Sequence, residues 1–126
     1  MPPIFVQAIM TQIEILHPQT LPGFLESAVG VLLLAKSDCD ACERWTTELN
    51  AHLASLDADD SLNAVRFAKI VLNQPGLGFF KKASPWLRDV NDLPFTAIYV
   101  DGEYTRGFIG GGVQRMVNRL NRVRSQ

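Results

Sequence analysis

Val29-Gly30-Val31-Leu32-Leu33-Leu34-Ala35-Lys36-Ser37-Asp38-Cys39-Asp40-Ala41-Cys42-Glu43-Arg44-Trp45 is the stretch from which the fold is read. Its first seven residues, Val29 to Ala35, form an unbroken apolar run of strand length. Such a run is expected of a central strand covered on both faces. Beyond it Cys42, Trp45, Leu49, Leu53 and Leu56 recur at three- and four-residue steps, which draws one stripe down a helix over Cys39 to Leu56. The cysteine pair therefore opens a helix that follows a buried strand.

That position gives the four residues their chemistry. Cysteines three apart on a helix share a face with Cβ atoms about 5–6 Å apart, and a small adjustment in the first turn brings them within disulfide range. Unpaired backbone N–H groups and the helix dipole at an N-terminus favour an anion. Cys39 is accordingly the expected nucleophile and Cys42, one turn deeper, the resolving thiol. Asp38, Asp40 and Glu43 oppose the dipole and disfavour the Cys39 thiolate, which points to a stable disulfide and a reducing couple. The alternatives are an inert buried pair or a metal site. For zinc the only histidines are His17 and His52, and His52 lies about 15 Å further along the same helix, too far to share an ion with the pair.

Elements on both sides extend the pattern. Gln12 to Leu16 reads as a short strand, Leu21 to Ser27 as a short helix capped by Thr20, and Val65 to Leu72 as another strand. Asn73-Gln74-Pro75-Gly76 signals a turn. Leu77 to Asn91 reads as one short helix interrupted at Pro85. Phe95 to Val100 and Glu103 to Ile109 are strands joined by the two-residue turn Asp101-Gly102. After Gly110-Gly111-Gly112, the residues Val113, Met116, Val117, Leu120 and Val123 form the stripe of a final helix.

With 126 residues and 47% hydrophobic content, the chain suits one compact domain. Residues 1–11 read as an N-terminal extension and 12–126 as the domain. Within the extension, the apolar residues of Pro2 to Met10 suit either an edge strand or a dimer contact. The net charge of −1 favours neither disorder nor nucleic-acid binding. It hides an asymmetry, because after Glu103 every charged residue is an arginine: Arg106, Arg115, Arg119, Arg122 and Arg124. This basic run reads as the solvated face of the last helix. No leader or membrane-spanning pattern is seen, so a cytoplasmic protein without membrane contact is expected, a setting in which close cysteines are more often reactive than structural.

The order of strand, helix, strand with Cys-X-X-Cys helix, strand, short helix, Pro-led hairpin and final helix resembles the thioredoxin family over roughly residues 12 to 123. The resemblance implies an α/β thioredoxin-like fold, a central mixed sheet flanked by helices. It also implies that Pro94 follows a cis peptide bond beside the cysteines, that the backbone of Leu93 pairs with a substrate chain, and that Gly110 leaves room for it. The implied activity is thiol-disulfide exchange without a bound cofactor or metal, with a protein disulfide as substrate and a thiol or reductase as electron donor. Departures are specific. Asp38 stands where the family usually has Trp, Asp40-Ala41 where it has Gly-Pro, and Leu33 where it often buries an acid. Lys69 matches the family's helper lysine approximately, and Phe95 separates Pro94 from Thr96. These departures favour a competing reading, an interaction or redox-sensing module with little turnover. Trp45 is expected in the core, and Phe79, Phe80 and Trp86 are expected to pack over the sheet.

Overall fold

The computed structural model describes residues 11–125, so the extension Pro2 to Met10 lies outside the described residues. Five strands, β1 (Ile13–Ile15), β2 (Val29–Ala35), β3 (Arg66–Val71), β4 (Phe95–Val100) and β5 (Glu103–Ile109), form one sheet in the order β1-β3-β2-β4-β5. The apolar strand β2 is central, parallel to β3 and antiparallel to β4. Four helices flank the sheet: α1 (Leu21–Phe24), α2 (Asp40–Ala54), α3 (Gly78–Lys82) and α4 (Val113–Arg124).

Alternation along β2 divides the core. Val31 and Leu33 face α2 and α4 and join Trp45, Leu49, Phe67, Met116 and Leu120, whereas Leu32 and Leu34 face α1 and α3 and join Phe24, Ile70, Leu77 and Phe80. A run that must satisfy both layers cannot alternate with polar residues, hence its unbroken apolar character. The turn between β4 and β5 places Asp101 and Gly102 at φ 51° and 83°, the left-handed pair that a two-residue hairpin requires.

Four expectations are corrected, three about the helices and one about Phe79. The first helix ends at Phe24 rather than Ser27. Beyond Phe24, Glu26 and Ser27 donate to carbonyls three residues back, and the Ser27 hydroxyl also donates to Phe24, tightening the chain into turns. Thr20 does not cap this helix; its hydroxyl accepts from the His17 N–H at 2.9 Å and so closes the preceding turn. The segment 77–91 holds two pieces, α3 and a 3₁₀ turn over Pro85–Asp89, because Pro85 has no N–H to continue the first ladder.

Phe80 is buried, but Phe79 is 86% exposed and does not pack over the sheet, since only one side of so short a helix can face it. Trp86 stacks on Tyr104 at 3.9 Å. Beside them the Tyr99 hydroxyl is buried without a hydrogen-bond partner among the described residues. Burial, assisted by Tyr104, raises the Tyr99 pKa far above its ordinary 10.0. Linkage sets the sign of the effect on stability. Above about pH 10 the unfolded chain releases this proton before the folded chain does, so stability falls as pH rises. Tyr99→Phe removes an unsatisfied hydroxyl and is expected to leave stability at pH 7 equal or raised by up to about 1 kcal/mol, with a shallower alkaline loss. Urea melts at neutral and alkaline pH check both; a clear loss at pH 7 would show that the hydroxyl is satisfied after all.

Candidate active site

Asp38 adopts φ 58°, a left-handed conformation that Asp tolerates better than most residues, and it turns the chain leaving β2 into α2. Cys39 follows as the N-cap of α2, with extended backbone, and its Sγ accepts the Cys42 N–H at 3.2 Å. Cys39 and Cys42 are disulfide-bonded, with Cα atoms 5.3 Å apart. Cys39 is partly exposed, whereas Cys42 is only 2% exposed. An attacking partner therefore reaches Cys39 first. On reduction, the N–H that now meets Cys39 Sγ is placed to stabilise a thiolate there.

The acids are arranged unequally. Asp38 and Asp40 are exposed. Glu43 reaches Lys69 of β3, its Oε2 lying 3.2 Å from Nζ. Lys69 is 8% exposed and stands opposite Leu33 in the β2–β3 register, on the α2 side of the sheet. The pairing offsets the Glu43 charge, leaving Asp38 and Asp40 as acids at the mouth of the helix without an ion-pair partner among the described residues. Leu33 itself is buried in the apolar layer beneath α2, which provides no carboxyl there.

Pro94 reaches the same end of the sheet. Leu34 pairs with Phe95, so the chain entering β4 lies beside the chain leaving β2 toward Cys39. The Leu93–Pro94 bond is cis. Gly110 follows β5, and its N–H donates to the Pro94 carbonyl at 2.7 Å. A Cβ on Gly110 would meet only the Arg115 guanidinium, at 3.7 Å, so the space above this backbone is open. Leu93, Pro94 and Gly110 thus share one edge.

Trp45 fixes the cysteine helix to that edge, a role its place in the apolar stripe did not reveal. Its indole N–H donates to Thr96 Oγ1 at 3.1 Å, and the Thr96 hydroxyl donates to the Gly110 carbonyl at 2.8 Å. A side chain at residue 111 would strike the Trp45 indole, so only glycine fits there. The chain of bonds from α2 through β4 to Gly110 depends on strand register, which spacing along the sequence does not encode. Phe95 separates Thr96 from Pro94, yet the strand pleat still aims Thr96 at the tryptophan.

Among the described residues no cluster of three or more His, Cys, Asp or Glu side chains is placed to hold a metal ion. No described helix is long and apolar enough to cross a membrane.

No family model matches the sequence, and no curated protein matches it. Solved structures do. The chain is similar to thioredoxin f from spinach chloroplast in its long form, with TM-score 0.71 and 15% identity over 95% of this chain and 93% of that one. Thioredoxin from Trypanosoma brucei brucei gives TM-score 0.67 and 13% identity over 93% and 95%. A thioredoxin f2 solved in complex with ferredoxin:thioredoxin reductase gives 0.63 and 14% over 90% and 96%. The fold is that of thioredoxin: one domain, with a mixed five-stranded sheet between helices and a Cys-X-X-Cys pair at the head of α2.

Proposed function

We propose that this chain is a thiol-disulfide oxidoreductase that reduces disulfides in other proteins through Cys39 and Cys42. The observation that carries the reading is the asymmetric pair: an accessible Cys39 at a helix N-terminus, bonded to a buried Cys42 within one turn. In the reduced form the Cys39 thiolate attacks one sulfur of a partner disulfide, forming a mixed disulfide and expelling the other sulfur as a thiolate. Deprotonated Cys42 then attacks Cys39 Sγ, closing the internal disulfide and releasing the second partner thiolate. Two electrons pass to the partner, and the two protons lost by the cysteines balance those taken up by its thiols.

Leu93, Pro94 and Gly110 form the edge over which a partner chain docks. The cycle closes when a dithiol donor attacks the partly exposed Cys39. A reductase is the donor class suggested by the neighbour solved with ferredoxin:thioredoxin reductase. Asp38 and Asp40, without an ion-pair partner among the described residues, disfavour the thiolate and stabilise the disulfide, so the couple is a reducing one. The working compartment is proposed to be the cytoplasm.

Equilibration in glutathione or dithiothreitol buffers with thiol trapping measures the potential. The expected value lies nearer to that of reductases, about −270 mV, than to that of dedicated oxidants near −120 mV. A potential at the oxidising end removes the reductase reading. A pair that never re-forms its disulfide leaves the competing reading, a binding module, in its place.

A further inference from the structure

Arg115 and Arg119 stand one turn apart on α4 and both lie over the Phe108 ring, their guanidinium carbons 4.5 and 5.4 Å from its centroid. Arg115 is pinned further, donating from Nη1 to the Ile109 carbonyl at 2.9 Å. Among the described residues neither has a carboxylate within ion-pair distance. Glu48, which reaches this end of α4, accepts the Val113 N–H instead. Like charges one turn apart on a helix repel, so two cations on one ring without a counter-ion form an arrangement that an incoming anion improves. A guanidinium already held by a carbonyl and a ring also loses little freedom when it binds.

The place matters as much as the charge. Arg115 Nη1 lies 3.7 Å from the position of a Cβ on Gly110, while the Ile109 side chain, one residue along β5 from Phe108, points to the opposite face of the sheet. Along this end of the sheet the order is β3, β2, β4, β5. Two strand spacings, about 10 Å, therefore separate β2, which leads to Cys39, from β5, which leads to Arg115. That offset equals about three residues of an extended chain. Ser37, immediately before Asp38, is tied to Asn73 beyond β3 by hydrogen bonds of 3.0 and 2.6 Å, which holds the acidic stretch entering α2 to the β3 side at its start. The mouth of the site is consequently bipolar, basic beyond Gly110 and acidic beside the cysteines.

We infer that, on the redox reading above, Arg115 and Arg119 select partner proteins carrying carboxylates about three residues from the cysteine under attack, on the β5 side of the site. A partner carboxylate meets the fixed Arg115 fork. A segment of the opposite polarity sets its acids against Asp38 and Asp40 and is rejected. A polyanion such as nucleic acid is rejected for the same reason, since it cannot avoid the acidic half.

Fluorescence anisotropy with the full chain tests the assignment. The probe is a short labelled peptide with one cysteine capped as a mixed disulfide, carrying glutamates about three residues away, compared with the same peptide bearing glutamines. The glutamate peptide is expected to bind about fivefold tighter at low salt, with the preference lost at about 1 M salt. Arg115→Gln with Arg119→Gln should abolish the preference while Arg115→Lys retains part of it, and thermal melts confirm that each variant is folded. Equal binding of the two peptides, or a preference unchanged in the double variant, overturns the inference. Binding is read with the disulfide-bonded chain, and cleavage of the capped peptide is followed separately with the chain reduced beforehand and freed of reductant. A chain that binds the glutamate peptide selectively but leaves its disulfide intact sustains the docking assignment and removes the reductase reading.

Discussion

On the proposed redox reading, Cys42→Ser is expected to halt the cycle at the mixed disulfide and Cys39→Ser to remove reactivity altogether. The expectation rests on accessibility: Cys39 is partly exposed, while Cys42, in the first turn of α2, is almost completely buried. With Cys42 replaced, Cys39 still attacks, but no thiol within the chain can expel the bound partner. Turnover should fall by at least on the order of a thousandfold while covalent adducts accumulate. Non-reducing electrophoresis followed by mass spectrometry reads the adduct directly and reports the partner. The reverse pattern, adducts in Cys39→Ser and none in Cys42→Ser, would exchange the two roles and contradict the assignment from burial. A loss of activity in both without adducts would indicate that the pair acts structurally.

Trp45→Ala is expected to cost about 3–5 kcal/mol, a large part of the about 5–15 kcal/mol by which domains of this kind are stable. The indole is buried in the layer between the sheet and α2, and its loss opens a cavity that Leu49 and Met116 cannot close without moving their own neighbours. Trp45→Phe separates packing from hydrogen bonding. It retains much of the apolar volume but leaves Thr96 Oγ1 without its donor at a position of 0% exposure. A cost of about 1–2 kcal/mol is expected from the lost bond and the smaller ring. Because Thr96 also holds the Gly110 carbonyl, Trp45→Phe should slow disulfide exchange more than its effect on stability would explain. Urea melts and single-turnover exchange rates on the same samples test the separation. Equal costs for Ala and Phe would make the hydrogen bond, rather than the packing, the larger contribution.

Several elements were legible because their signals are local. The apolar run of β2, the stripe of α2, the Asp101-Gly102 turn and the stripe of α4 each carry a periodicity or a turn chemistry confined to a few residues, and each element lies where those signals place it. The first helix and the segment 77–91 read less well. Gly23 and Ser27 offer the backbone alternatives to an α-helix, and Pro85 breaks one ladder without dictating the geometry of the next turn. Thr20 has a capping residue's chemistry, yet its hydroxyl is taken by the turn at His17. Phe79 and Phe80 are identical in type, and only the orientation of α3 over the sheet exposes one and buries the other.

The sequence by itself determined the succession of elements, the two-sided burial of β2 and the position of Cys39 and Cys42 at the head of a helix. Those features depend on neighbours a few residues away, whose spacing is written along the chain. Only the tertiary structure decided that Glu43 pairs with Lys69, that Trp45 reaches Gly110 through Thr96, and that Arg115 stands beside Gly110 with no carboxylate among the described residues to meet it. Each of these joins residues from different elements at distances set by strand register and helix orientation. The partner of a side chain there is chosen by packing in three dimensions, for which linear spacing has no code.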